Sequence, residues 1–498
     1  MKTKLALGAL MLATSLTPAF AADTDIRIVL SEDLDLIEPC MATRSNIGRV
    51  ILQNVNETLT EYDTREGKGI LPRLATSWEQ TETGWRFHLR EGVTFSDGST
   101  FDARDVKHSF DRAMSTQISC ETPRYFGGMT VEATVVDDHT IDFAADPVQP
   151  ILPLLLSLVT IVPEETPVEF TRTPIGTGPY ELTEWTPGQQ IVLSRRDGYW
   201  GDQPAVTSAT YLFRSDASVR AAMVETGEAD LAPSISDVDA TNPETDFSYL
   251  NSETVYLRLD HSVAPMNDVR VRRALKMAID REAFVGTVMA PGTEIATALV
   301  PPTTAGWNPD VVPTAYDLEG AQALLEEAKA DGVPVDTPVK MIVRTGNFPG
   351  VTEVAEAIGQ MLNEAGFNIQ IQQVDVAQHE QYYSKPFPTD AGPYILMAMH
   401  DNDKGDPVFT MFFKYDTEGR QSGTADPKAD EMIAAAQAAT GDERAKLWSD
   451  LIAYLHDDIA ADAPLFHTVG FTRVGTRLDF KPTIATNSQL QLQQIGIK

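Results

Sequence analysis

The chain is poor in cysteine and in the motifs of enzymes. Its 498 residues contain two cysteines, Cys40 and Cys120, and no Cys-x-x-Cys pair, so a structural zinc site is not expected. A G-x-S-x-G turn, a P-loop and an H-E-x-x-H pair are all absent, and the eight histidines are scattered. We therefore expect no catalytic residues, no metal ligands and no cofactor, and we expect that the protein is not an enzyme.

Long hydrophobic segments are lacking beyond the N-terminus. Two lysines precede an apolar run, residues 5–20, which ends in Ala19-Phe20-Ala21, the pattern of a cleaved signal peptide. We expect residues 1–21 to be removed and the mature protein to lie in the periplasm. A second apolar run, residues 151–162, holds 12 residues and Pro153, which favours a buried core segment over a membrane span.

Positive charge is scarce. Thirty-nine Lys and Arg face 72 Asp and Glu, so the formal net charge is −33. Such an acidic surface repels nucleic acids and anionic lipids, and no nucleic-acid partner is expected.

Export also bears on the cysteines. An even number of cysteines in an oxidising compartment favours a disulfide over free thiols. We therefore expect that Cys40 and Cys120 are joined.

Short strands alternate with helices, which predicts an α/β protein. Residues 25–30 are typical of a first strand. Asp102 has the spacing of a helix N-cap, with Asp105 three residues on as in a capping box, and a helix is expected to follow. Residues 351–365 form a helical pattern that Gly366 ends.

Several segments resemble one family. They are WRFHLREGVTFSDG (85–98), ARDVKHSFDRAM (103–114), GTGPYELTEWTPGQQIVLSRRDGYWG (176–201), MVETGEADL (223–231) and YLRLDHSVAPMNDVRVRRALKMAIDREAFV (256–285). In their residues and in their order along the chain, these segments resemble the large periplasmic solute-binding proteins of peptide, opine and nickel ABC importers. The matches run from about residue 30 to about residue 470, a coverage that a single chance block would not produce.

The resemblance implies an α/β, two-lobed periplasmic binding protein fold with a hinge. Residues 22–254 would form lobe I, with an extra subdomain from about 60 to 170, and residues 255–468 would form lobe II. Residues 469–498 would return to lobe I. The hinge would cross near 253–259 and 469–471, and a ligand would close the lobes. The implied partners are a small-molecule ligand and an inner-membrane ABC permease, with the protein itself a monomer.

Two ligand contacts follow from the resemblance. Asp403, in Asp403-Lys404-Gly405-Asp406-Pro407, resembles the family's acidic residue that binds the α-amino group of the ligand. The alternative is a solvated acidic loop that also includes Asp401 and Asp406. Arg344 resembles the arginine that holds the ligand carboxylate, a role that suits its planar guanidinium. The alternative is an ordinary surface arginine.

Two further positions remain open. Arg44 lies where family members place ligand-contacting loops, although Ser45 or Asn46 could simply cap a helix there. His400 stands where peptide-binding relatives often carry tryptophan. It could contact an acidic ligand or a chelated metal, or it could be structural.

The resemblance implies capture of a short peptide or a peptide-like amino-acid derivative such as an opine, for delivery to the permease. An oligosaccharide or a metal chelate is the alternative ligand. Two functions of a different class also stay open, that of an exported hydrolase and that of a peptide-binding chaperone or sensor subunit. A hydrolase needs a nucleophile or a metal set, and the sequence shows neither.

Overall fold

A computed structural model describes residues 24–34, 37–40, 46–63, 69–118, 120, 122–126, 129–146, 148–402, 405–484, 486 and 490–498. The expected signal peptide, residues 1–21, lies outside this set. None of the helices in the described part of the chain has the length and hydrophobicity that a bilayer crossing requires.

The strands of the N-terminal half lead up to a long strand near the middle of the chain. They are Asp25–Leu30 (β1), Thr60–Asp63 (β2), Gly69–Pro72 (β3), Ala75–Gln80 (β4), Gly84–Leu89 (β5), Thr130–Asp137 (β6), Thr140–Asp146 (β7), Tyr180–Thr186 (β8), Gln190–Arg195 (β9), Ser208–Phe213 (β10), Leu231–Ala232 (β11) and Asp246–Arg258 (β12). The remaining strands are Glu294–Ile295 (β13), Val339–Arg344 (β14), Ile369–Val374 (β15), Tyr394–Asp401 (β16), Asp462–Val474 (β17), Leu478–Asp479 (β18) and Gly496–Ile497 (β19).

Helices alternate with these strands, as expected for an α/β chain. They are Asn46–Leu52 (α1), Ala103–Met114 (α2), Leu152–Leu155 (α3), Ala217–Glu225 (α4), Val269–Met277 (α5), Leu318–Ala330 (α6), Val351–Ala365 (α7), Val376–Tyr383 (α8), Val408–Tyr415 (α9), Pro427–Ala438 (α10) and Gly441–Ala453 (α11). The expected capping box at Asp102 and Asp105 is present, and Gly366 ends α7 with a φ of +112°.

One eleven-stranded sheet runs through the molecule in the order β15-β14-β16-β12-β17-β11-β1-β10-β9-β8, with β13 also paired to β17. Its two middle strands, β12 and β17, have 13 residues each and pair antiparallel. One end of this pair meets β11, and the other end lies beside β16. The chain segments expected to cross between the lobes, 253–259 and 469–471, fall within or directly beside these two strands.

A separate four-stranded antiparallel sheet, in the order β4-β5-β7-β6, lies in the region expected to form the extra subdomain. Helix α2 packs on it. The rings of Phe87 and Phe110 both meet Phe143 edge-on, at centroid distances of 5.7 and 5.4 Å. These three side chains are at most 2% exposed, so an aromatic cluster joins the helix to the sheet.

A disulfide and an ion pair tie this subdomain to the segment that follows β1. Cys40 is bonded to Cys120 across a sequence separation of 80 residues. Close in sequence to both, Glu38 accepts a hydrogen bond from Nη1 of Arg112 at 2.8 Å, and both side chains are buried. A buried pair of this kind is costly to break from one side, because the remaining charge stays in the protein interior.

The disulfide yields the first testable prediction. Under the chain-entropy model a bridge over about 80 residues contributes about 4 kcal/mol to the free energy of unfolding, so replacing both cysteines by serine should lower that free energy by a comparable amount. Mass spectrometry of the mature protein without reductant should find no alkylatable thiol. Two modified cysteines in that experiment would contradict the prediction.

Candidate functional site

Two parallel strands of the main sheet lie side by side, and β16 continues three residues beyond the end of β14. Strands β14 and β16 pair in parallel from Lys340 and Tyr394 onward. Their last residues, Arg344 and Asp401, therefore lie at the same edge of the sheet. Ligands of open α/β sheets bind beyond the carboxyl ends of the strands. We call this place the cleft edge, and among the described residues it comprises Arg344, Asn347, Asp401, Asn402 and Glu253, which pairs with Asp401.

Residues of the N-terminal half lie against the loop and the helix that follow β16. A side chain at position 405 would collide with the hydroxyl of Tyr62, and Gly405 has a φ of +68°, so glycine suits both the space and the backbone there. Tyr125 meets Phe409 of α9 edge-on, at a centroid distance of 5.4 Å. The two halves therefore touch around the loop that follows β16.

Arg344 is partly buried at the end of β14. Its Nε is buried without a hydrogen-bond partner, and no carboxylate of the described residues forms an ion pair with it. Asn347, three residues later, likewise has a buried Nδ2 without a partner. Arg258 also lacks a carboxylate partner among the described residues, so it is the place of Arg344 at the carboxyl end of β14 that makes it a candidate receptor for an anionic group of a ligand.

His400 forms a hydrogen bond inside the protein. Its Nε2 lies 2.7 Å from the hydroxyl of Thr410, a fully buried residue of α9. A hydrogen bond to a buried residue is expected if the role of His400 is structural. This bond also engages one of the two ring nitrogens that a metal or an acidic ligand would need.

Two of the expected contacts cannot be described. Asp403 and Arg44 lie outside the described residues, as does Ser45. Helix α1 begins at Asn46, so Asn46 stands inside the helix, and the N-cap interpretation depends on Ser45.

The residues around Asp403 are held in place. Asn402 N donates to the carbonyl of Ser252 at 3.1 Å, and Ala305 N donates to the carbonyl of Gly405 at 3.0 Å. Asp406 is 7% exposed and forms two bonds with the guanidinium of Arg444, at 2.9 and 3.0 Å. The interpretation of this segment as a solvated acidic loop is therefore wrong for Asp406, whose carboxylate is buried and paired.

Two carboxyl groups lie opposite each other at the cleft edge. Glu253 on β12 pairs with Asp401 on β16, and cross-strand partners share a face of the sheet. The hydroxyl of Ser252 donates a hydrogen bond to the carboxylate of Asp401. No cationic side chain of the described residues forms an ion pair with Glu253. Burial first, and then the negative charge of Asp401, raise the pKa of Glu253 to about 8. Glu253 thus holds a proton at neutral pH.

Sequence patterns indicate Arg344, His400 and the Asp403 loop but not Glu253, Asn347 or Asn402. The carboxyl pair depends on the register between β12 and β16, which joins residues 148 positions apart. The lack of partners at Asn402 depends on everything packed around it. Neither property leaves a local signal in the sequence.

The pKa of Glu253 predicts a pH-dependent stability. Its value in the folded protein exceeds the ordinary 4.5, so the folded state holds a proton that the unfolded chain releases between pH 4.5 and about 8. The stability of the wild type should therefore fall over this range relative to that of Glu253→Gln, which cannot ionise. Melting temperatures of the two proteins should be close near pH 4.5 and should diverge, with the variant higher, up to about pH 8.

The matched control is Glu356→Gln, an exposed position on α7. It should follow the wild type at every pH. A difference between Glu253→Gln and the wild type that stays constant with pH would show that the Glu253 carboxyl is not protonated in the folded protein.

The chain is similar to proteins of one kind. The family profile "Bacterial extracellular solute-binding proteins, family 5 Middle" matches residues 69–420. The dipeptide-binding protein of Escherichia coli (strain K12) is 33% identical over 324 residues, which are 58% of this chain and 60% of that relative.

Solved structures share the fold. The periplasmic binding protein DppA from Helicobacter pylori, in complex with the peptide STSA, gives a TM-score of 0.81 at 20% identity and covers 95% of this chain and 98% of its own. The periplasmic binding protein AgaA from A. tumefacien R10, in complex with agropinic acid, gives a TM-score of 0.81 at 20% identity, with coverage of 95% and 99%. At these identities the likeness shows the two-lobed fold.

Proposed function

Because the chain belongs to the bacterial extracellular solute-binding proteins of family 5, we propose that it captures a short peptide or a peptide-like amino-acid derivative, such as an opine. It does so in the periplasm after removal of a signal peptide, and it delivers the ligand to an ABC permease of the inner membrane. Its role is binding and closure, without a chemical step. The relatives and neighbours named for dipeptide, peptide and agropinic acid support this ligand class.

Opposite charges at the cleft edge carry the proposal. Arg344 ends β14 without a carboxylate partner among the described residues, and the neighbouring strand β16 leads into the segment that carries Asp403. A zwitterionic ligand would satisfy both signs, with its carboxylate at the arginine and its ammonium group at the acidic side. Charge-assisted hydrogen bonds of this kind are short and strong, and closure would remove them from water.

The contacts between the two halves support closure on the ligand. Tyr62 against Gly405, and Tyr125 against Phe409, place aromatic side chains of the N-terminal half on the loop and helix that follow β16. A ligand held at the cleft edge would lie beneath these contacts and favour the closed arrangement over an open one.

A thermal-shift screen of peptides, opines, oligosaccharides and metal chelates tests the ligand class. A ligand present at 100 times its dissociation constant should raise the free energy of unfolding by about 2.7 kcal/mol. The best compound should be a peptide or an opine, and small-angle scattering should then show a smaller radius of gyration with it than without it. An uncharged sugar as the best compound, or a radius that does not change at saturation, would count against the proposal.

Calorimetry on two variants tests the charge arrangement. Arg344→Ala and Asp403→Ala should each weaken binding of the screened ligand by more than tenfold, since loss of one partner of a desolvated pair costs about 2–5 kcal/mol. The melting temperature without ligand should change little. Arg86→Ala, which breaks an ion pair with Asp142 on the four-stranded sheet, is the control and should leave affinity unchanged. Wild-type affinity in Asp403→Ala would remove the ammonium site from this loop.

A further inference from the structure

The side chain of Asn402 is buried without any hydrogen bond. It is 3% exposed, and both its Nδ2 and its Oδ1 lack a partner. Among the described residues it is the single side-chain amide with both atoms in this state; Asn56, Asn347, Gln53 and Gln437 each lack a partner at one atom. More than about nine in ten buried polar groups in proteins have a partner, so an amide with neither atom bonded needs a cause.

The backbone around Asn402 is fixed by hydrogen bonds. The backbone of Asn402 is bonded to Ser252, and four residues later Asp406 is fixed by two bonds to Arg444. Asn402 follows directly on β16, whose pairing with β12 continues to Asp401. The amide is therefore attached to a backbone that is held on both sides.

The position of Asn402 is at the cleft edge. On the neighbouring strand and the turn after it, the Nε of Arg344 and the Nδ2 of Asn347 are also buried without partners. Three residues at the ends of two adjacent parallel strands thus have unsatisfied polar atoms in the place where ligands of such sheets bind. These atoms have almost no accessible surface in this arrangement, so a ligand would meet them in the open form and supply their partners as the lobes close.

We infer that the carboxamide of Asn402 is a ligand contact that selects an extended peptide backbone, a conclusion that rests on the proposed function. The amide offers a donor at Nδ2 and an acceptor at Oδ1. In an extended chain the N–H and the C=O of one residue point to the same side, as in the hydrogen-bonded pairs of a β-sheet. One residue of a bound peptide can therefore satisfy both atoms of Asn402. This contact is neutral and is distinct from the charged contacts at Arg344 and Asp403.

The decisive variant is Asn402→Leu, which keeps the size of the side chain and removes both polar atoms. Because the wild-type amide is buried without partners, the melting temperature of the ligand-free variant should equal or exceed that of the wild type. Its affinity for peptides should fall by at least tenfold. The probe is a defined tripeptide library, with the retained peptides identified and quantified by mass spectrometry after gel filtration.

Asn54→Leu is the matched control. Asn54 is 2% exposed, but its amide donates to the carbonyls of Val50 and Leu490 and accepts from the backbone of Leu492. This variant should melt lower than the wild type and should bind the retained peptides with unchanged affinity. The two buried asparagines should thus respond in opposite ways to the same substitution.

A peptide with its central nitrogen methylated provides a second measurement. The wild type should bind it at least tenfold more weakly than the unmethylated peptide, and Asn402→Leu should bind the two alike. Asn402→Ala should repeat the loss of affinity if leucine proves too bulky for the site. A lower melting temperature with unchanged peptide affinity in the Asn402 variants would make the amide structural and overturn the inference alone. Retention of no peptide by the wild type would overturn this inference, and the proposed function would fall with it only if the thermal-shift screen also returned neither a peptide nor an opine.

Discussion

The antiparallel pair of β12 and β17 is the constraint on which the rest of the structure depends. Each strand has 13 residues, and the pair holds both halves of the molecule in one hydrogen-bonded sheet. The ladder breaks its register between Leu250 and Thr254, where β12 carries extra residues against β17. An irregularity of this kind bends a strand and re-aims its side chains. It falls beside residues 253–259, the segment expected to cross between the lobes, and it includes Glu253.

This register also sets the chemistry of the cleft edge. Beyond the irregularity β12 pairs with β16 from Glu253 onward, which places the carboxyl of Glu253 opposite Asp401. Like charges directly opposite on a sheet are unfavourable, and here a retained proton on Glu253 relieves the repulsion. A shift of one residue in the register between β12 and β16 would place Glu253 on the other face of the sheet, and its carboxyl group would no longer lie opposite that of Asp401. The irregularity of β12 and the juxtaposition of the two carboxyl groups are therefore set by the same backbone pairing.

Local features can be predicted from the sequence, whereas most long-range contacts cannot; the Cys40–Cys120 disulfide could be, because the chain has only two cysteines. The capping box of Asp102 and the end of α7 at Gly366 depend on a few neighbouring residues, and both predictions are confirmed. The family resemblance predicts the two-lobed fold and indicates Arg344 as a candidate ligand contact. Asp406 has the sequence surroundings of a solvated loop, whereas its partner Arg444 lies 38 residues away on α11 and cannot be found by spacing. No sequence pattern indicates Asn402, because the property that distinguishes it is the absence of hydrogen-bond partners for its side-chain amide.

Several polar groups of the cleft edge lack partners within the described residues. In the interior of the molecule, charged groups such as Arg112 and Asp406 are paired, and Asn54 has partners for both atoms of its amide. At the ends of β14 and β16, by contrast, an arginine lacks a carboxylate among the described residues, an amide lacks every bond, and a glutamic acid holds a proton. Each departure lowers the stability of the ligand-free fold, and a sequence under selection for stability alone would remove them. Such groups also occur elsewhere among the described residues, as at Arg258 and Trp448, so it is their place beyond the ends of β14 and β16, where ligands of open sheets bind, that favours the proposed binding role.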